Sequence, residues 1–389
     1  MTGRTAGSGV AVVGLGETEY YRHGGSPHPE FRLVLDAVRA AAEDAGIDPR
    51  EIDGYCSFSD DRNAPTRIAT ALGARDLALS TMQWGGGGGG GAAAVANAAA
   101  ALAAGYARYV CVFRGLAQGQ FGRFGTASTS PHAEWPSSYE APYGVLSAAQ
   151  LFAMRVRRFM HDHGVTQEPL RAIALASYHH AQQNPRAVMY GRPLTPELYD
   201  RSRWIVEPFH LFDCCQENDG AAAVILTTTN RARHLRQRPA ILMAAAQGAD
   251  PRQSAAAHNA PDYASANTRN VARRLYAMAG LGPRDIDVVQ SYENFTGGVM
   301  MSLVEHGFCE PEECVEYMTL DNFSVGTGKC PLNTSGGNLA ECYMHGLGLV
   351  VEAVRQIRGN SPNQVPDAET SMVCSGPMAE LVSSLILRR

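Results

Sequence analysis

The chain contains part of itself twice. "AGIDPREIDGYCSFSD" at 45–60 and "AGLGPRDIDVVQSYEN" at 279–294 align without a gap at an offset of 234 residues. Gly46/Gly280, Pro49/Pro283, Arg50/Arg284, Ile52/Ile286 and Asp53/Asp287 match in the two copies. The same offset lays "VAVVGLG" on "AAAQGAD" and pairs Gly14 with Gly248. Each copy reads as a strand, a helix ("RLVLDAVRAAAEDAG"; "TRNVARRLYAMAG"), a short P-R-[ED]-I-D link and a second strand. With a few residues inserted, the glycine-rich turn and helix at 84–105 pair with "GLGLVVEAVRQIRG" at 346–359. Alternating strands and helices imply sheets covered by helices. The expectation is two similar α/β halves, about 1–230 and 238–389, with 115–210 inserted in the first. A pseudo-two-fold axis between them would bring their equivalent turns into one central site.

Composition narrows the function classes. With 45% hydrophobic and 18% charged residues and a net charge of −5, the chain reads as a globular protein. Its Lys and Arg are scattered, and the one local cluster, "RARHLRQR" at 231–238, reads as a solvated linker, so nucleic-acid binding is not expected. The N-terminal apolar run is too short for a signal peptide, and Asn97 and Arg108 interrupt the alanine-rich stretch, so no membrane span is expected either. Nine cysteines without a CxxC read as reduced thiols in a cytoplasmic protein, with no metal.

Seven consecutive glycines precede a helix in "QWGGGGGGGAAAVANAAAALAAG" (83–105). Glycine weakens a helix, so such a turn usually holds something close against the helix N-terminus. A nucleotide cradle is the obvious candidate, but no G-x-x-x-x-G-K-[ST] occurs, and "GLGETE" at 14–19 lacks the third glycine of a dinucleotide fingerprint. A flexible linker fits poorly between a strand and a helix.

Four segments, in order, carry a resemblance. "CCQENDGAAAVIL" (214–226) resembles an S/T-D-G-A-A-A strand, and "SYENFTGG" (291–298) stands where an Asn-Glu-Ala-Phe motif would. "NTSGGNLAECYMHGLG" (333–348) resembles N-P-S-G-G…G-H-P-x-G, and "VCSGP" (373–377) a terminal Cys-x-Gly-Gly. On a duplicated chain these resemble the thiolase superfamily over nearly the whole length, which implies a five-layered αβαβα core. The departures matter more. The nucleophile position falls near Gly88, and no cysteine lies between Cys56 and Cys111. Tyr343 stands where thiolases have the activating histidine, and Tyr292 replaces the Asn, or the His of the sterol-carrier-protein thiolases. Without a nucleophile, acyl transfer through the enzyme is closed.

What remains is a cradle for an acyl-CoA and groups that handle protons, which suits retro-aldol cleavage. The resemblance sharpens to the thiolase-like lipid-transfer-protein aldolases of actinobacterial steroid side-chain degradation. It implies cleavage of a 17-hydroxy steroid carboxyl-CoA to a 17-keto steroid and propionyl-CoA, with no cofactor, coenzyme A being part of the substrate. It also implies a homodimer working with a partner that bears an OB-fold domain, often fused to a hydratase, as α2β2.

Each candidate residue has a plainer reading beside the functional one. Tyr343 is assigned the base for the substrate hydroxyl, against a tyrosine bonded to backbone in a turn. Tyr292 is assigned the partner acid/base or a donor to the enolate, against a strand-end aromatic; the two roles are exchangeable on sequence. His345 would orient Tyr343 or titrate near neutrality, against a solvent-facing residue at a helix start. Gly88 would leave room for a bulky ring system. Gly336 and Gly337 would let backbone N–H groups reach the thioester oxygen, against a tight structural turn. Asn294 and Glu293 would touch substrate or fix the turn, and Cys374, which the resemblance aligns with the thiolases' second, acid–base cysteine, would line the site or be a buried thiol. Segment 115–210 would line an apolar channel, or Trp135, Tyr139 and Tyr143 would cover a dimer interface. The rival functions are a non-catalytic acyl-CoA-binding subunit and an atypical thiolase using Cys342 or Cys374.

Overall fold

A computed structural model describes residues 9–85, 87–121, 137–251 and 262–389. The strands are β1 (Val10–Glu17), β2 (Tyr21–Arg22), β3 (Gly54–Phe58), β4 (Leu79–Gln83), β5 (Val110–Ala117), β6 (Trp204–Val206), β7 (Phe209–His210), β8 (Asn218–Thr228), β9 (Ala240–Gly248), β10 (Val288–Ser291), β11 (Thr370–Ser375) and β12 (Val382–Arg388). The longer helices are α1 (Glu30–Ala45), α2 (Gly90–Ala103), α3 (Ala148–His163), α4 (Glu168–Ala181), α5 (Arg269–Ala279), α6 (Thr296–Glu305) and α7 (Leu347–Arg358).

One sheet runs β10-β11-β12-β9-β1-β8-β5-β3-β4, with β2 on β8. Its two wings repeat one pattern outward from the centre. In the first, β1 is antiparallel to β8, β8 antiparallel to β5, and β5 parallel to β3. In the second, β9 is antiparallel to β12, β12 antiparallel to β11, and β11 parallel to β10. Even β4, parallel to β3, has a counterpart in the parallel bridge between Val289 and Leu332. The wings join through only Ala11↔Ile241 and Val12↔Ala240.

The repeated sequence explains the repeated elements. Gly46 and Gly280, matched by the 234-residue offset, both end a helix in the left-handed conformation (φ 75° and 68°), where a Cβ would be strained. Helix α1 packs on β1, β8 and β5, and α5 on β9 and β12, one outer layer for each wing. Helix α2 instead touches strands of both wings and α7 as well. That middle position explains its composition: buried on nearly every side, it is built of alanines, because larger side chains would push the layers apart. Together α2 and α7 form the central layer of a thiolase-like αβαβα sandwich. Helices α3 and α4 and the hairpin β6–β7 lie between β5 and β8 in the chain and pack toward α6. Trp135 lies outside the described residues; Tyr139 and Tyr143 are exposed.

Candidate active site

The turns that follow β10 and precede α2 and α7 converge. Tyr292 follows β10, and its backbone N–H donates to the Cys374 carbonyl at 2.9 Å. Tyr343 follows a π-helical turn, Gly337–Glu341, and its backbone N–H donates to Asn218 Oδ1 at 2.9 Å, a contact from the first wing. The two phenol oxygens meet at 2.7 Å, with the rings tilted by 56°. Tyr292 is 2% and Tyr343 5% exposed.

Gly88 is the surface on which Tyr292 rests. A Cβ built on Gly88 would fall 2.0 Å from Tyr292 Cζ and 2.2 Å from its hydroxyl. The glycine turn therefore holds the protein's own phenol ring, where the sequence had suggested room for a ligand's ring system. Gly89 and Gly90 are equally confined, against the Leu381 carbonyl and Phe58. His345 adopts φ 53°, unusual for a residue with a Cβ, and its ring lies 5.7 Å from those of Tyr343 and Phe58. A strained conformation held beside two buried phenols is a feature associated with functional sites.

Burial raises both phenols above their ordinary value, and the Cys215 thiol adds to this. Their shared hydrogen bond acts in opposite directions, lowering Tyr343 and raising Tyr292. Either hydroxyl can donate in this bond. The Arg114 guanidinium lowers both. Burial first, and Arg114 second, hold His345 well below the ordinary imidazole range, so its ring is neutral rather than titrating near pH 7.

Tyr343, but not Tyr292, lines a cavity of about 650 Å³. Met189, Ile205, Leu211, Phe212 and Phe295 give it apolar walls, and the exposed Arg22, Arg192 and Arg203 border it. Asn294 and Cys215 also line it. Its volume is in the range of small-molecule sites.

The chain is similar to known proteins over most of its length. The Thiolase C-terminal domain-like family model matches residues 249–389. A 17-hydroxy-3-oxo-4-pregnene-20-carboxyl-CoA lyase of Mycobacterium tuberculosis is 38% identical over 94% of this chain and 96% of its own. A steroid side-chain-cleaving aldolase of Thermomonospora curvata is 36% identical over 94% of this chain and 95% of its own. The chain belongs to the steroid side-chain-cleaving aldolase branch of the thiolase superfamily. A solved structure of this branch, the Ltp2-ChsH2(DUF35) aldolase, superposes with a TM-score of 0.91 at 36% identity over 99% of this chain and 98% of that one.

Not every residue singled out in this aldolase-branch sequence joins the tyrosines. Gly336 and Gly337 face inward: their N–H groups donate to the Asn333 carbonyl (2.9 Å) and Ser335 Oγ (3.4 Å). A Cβ on Gly337 would fall 1.8 Å from Glu293 Oε1. The expected thioester donors are already engaged, and the plain turn describes them. Glu293 itself, pushed up to about 8 by burial, accepts from the Asn338 N–H at 3.0 Å. Cys374 turns to the other face of β11, where its sulfur lies 3.6 Å from His306 Nε2. Cys342 is buried beside Tyr343, with its thiol pushed far up by burial. Sequence reading passed over Arg114 and Asn218. A signal for Arg114 was present, a lone cation in the apolar run "VCVFRGLA".

Proposed function

We propose that this chain cleaves a 17-hydroxy steroid carboxyl-CoA to a 17-keto steroid and propionyl-CoA, using the tyrosine pair and no cofactor beyond the substrate's own coenzyme A. The observation that carries the reading is the 2.7 Å bond between Tyr292, which rests on Gly88, and Tyr343, which lines the cavity. Tyr343 as phenolate takes the proton of the β-hydroxyl. The oxygen's electron pair forms the ketone as the Cα–Cβ bond breaks, and the electrons of that bond become the thioester enolate. Tyr343, now a phenol, returns the proton to Cα, so the pair ends as it began. Tyr292 donates its hydrogen bond throughout and shares the charge, while the neutral His345 packs against the Tyr343 ring. The apolar walls suit a steroid, and the arginines at the rim suit the phosphates of coenzyme A.

The reading includes a homodimer and a partner with an OB-fold domain, working in the cytoplasm. Support for the dimer comes from β4, an edge strand whose neighbourhood exposes Met82 (43%) and Trp84 (70%). Support for the partner comes from the DUF35-containing complex whose aldolase chain this one matches. No helix among the described residues is long and apolar enough to cross a membrane.

The test is cleavage of that substrate by the chain co-expressed with an OB-fold partner, measuring ketone and propionyl-CoA. Equal yields from the wild type, with loss in Tyr343→Phe, are expected. Binding of the acyl-CoA without cleavage would make the chain a binding subunit instead.

A further inference from the structure

The turn after β10 departs from its motif at a second position. Where Asn-Glu-Ala-Phe has an alanine, "YENF" has Asn294. An amide brings an acceptor and two N–H donors where a methyl brings none. The chain itself uses only the acceptor. Asn294 Oδ1 accepts from the Phe295 N–H at 3.0 Å, which assigns the oxygen to that side and turns the NH2 group away from it. No group among the described residues accepts from that NH2. The backbone sets this donor beside the tyrosines. Asn294 follows Tyr292 by two residues, and its carbonyl accepts from the Cys215 N–H at 3.0 Å, next to the antiparallel bridge between Cys214 and Phe295. Cys215 packs against the core cluster that contains both Tyr292 and Tyr343. Asn294, Cys215 and Tyr343 line the same cavity.

We propose that Asn294 is a catalytic residue, its side-chain N–H donating to the substrate's thioester oxygen as that oxygen becomes an enolate. The inference rests on the aldolase reading above, in which negative charge develops on that oxygen and a positioned donor lowers the barrier. As the Cα–Cβ bond breaks, its electron pair forms a double bond from Cα to the thioester carbon, and the carbonyl π pair moves onto oxygen. The double bond's pair then takes up the proton returned to Cα, and the oxygen's pair restores the carbonyl. Other donors nearby are spent elsewhere. The Gly336 and Gly337 N–H groups stay within their own turn. The Gln216 amide, which also lines the cavity, donates to the Leu339 carbonyl at 2.8 Å and the Tyr178 hydroxyl at 3.4 Å. The arginines are exposed at the rim. Asn294 combines a place in the tyrosine turn, a wall of the cavity and an uncommitted N–H.

The experiment uses the partner-bound chain and separates a donor from a residue that only fixes its turn. Asn294→Asp keeps the oxygen that holds the Phe295 N–H and replaces the NH2 group by oxygen, whereas Asn294→Ala removes both. Asn294→Asp is expected to lower kcat about 10²-fold or more, with KM within about threefold and the unfolding midpoint unchanged. Full kcat in Asn294→Asp overturns the proposal and leaves the aldolase reading intact. If that variant does not fold, full kcat in Asn294→Ala does the same. A second measurement needs no turnover: affinity for a nitroalkyl thioether of coenzyme A, whose nitronate copies the planar enolate. Wild type should bind it about tenfold or more tighter than propionyl-CoA, and both variants should lose that preference. A preference absent from the wild type, or kept by the variants, also overturns the proposal. A wild type that cleaves nothing yet shows the preference, lost in the variants, would sink the aldolase reading and leave the donor standing.

Discussion

Two hydrogen-bonded pairs flank β11, and the Tyr292 N–H to Cys374 carbonyl bond links them. On one face are Tyr292 and Tyr343. On the other are Cys374 and His306, a thiol and an imidazole 3.6 Å apart, which on paper is the better nucleophile–base couple. Burial pushes Cys374 up to about 12 and His306 down to about 4, so both stay uncharged, and neither borders the 650 Å³ cavity. The tyrosines are the weaker acids by nature and burial raises them too, yet one of them borders the cavity. Access, more than residue type, distinguishes the pair proposed to react from the packed one.

The sharpest way to break the comparison is to remove the hydroxyls. Tyr343→Phe is expected to reduce kcat by about 10²–10⁴-fold, and Tyr292→Phe by less, since it only shares the charge. Product assays on both settle the order, and a larger loss in Tyr292→Phe would exchange their roles. Gly88→Ala comes next. Its methyl would overlap the Tyr292 ring, so a loss of activity together with about 1–3 kcal/mol of stability is expected from assay and denaturant unfolding. Glu293→Gln tests a neighbour of Tyr292 through pH. Glu293 is raised in the fold to about 8, so the stability linked to its proton is fully present below the ordinary carboxyl range and is lost as pH rises through 8. The variant should flatten that slope in unfolding curves recorded from pH 5 to about 9. Cys374→Ala should change kcat least, within about twofold, with stability lowered by about 1 kcal/mol. A large fall in kcat with the fold intact would restore the cysteine to the chemistry.

Much of this was legible in the chain. The repeat implied two wings of like topology, and Gly46 and Gly280 marked matched helix ends. Tyr292, Tyr343 and Gly88 could be found because each departs from a residue type that its motif demands. The inward turn of Gly336 and Gly337 was not legible, since what engages their N–H groups depends on how the loop folds. Nor was the facing of Cys374: a strand alternates, and one residue of register decides which side a thiol takes. Arg114 was conspicuous, but the carboxylates that face it, Asp60 and Asp61, lie more than fifty residues earlier in the chain.

The contact between Gly88 and Tyr292 also bears on descent. A side chain at 88 and a phenol at 292 claim the same space, so a cysteine at 88 and the tyrosine of this chain exclude one another. Passage between the two chemistries cannot proceed by adding a new group before discarding the old one. Any single-step intermediate is either crowded or lacks both groups. Setting a side chain at 88 in this chain therefore calls for a smaller residue at 292 in the same step.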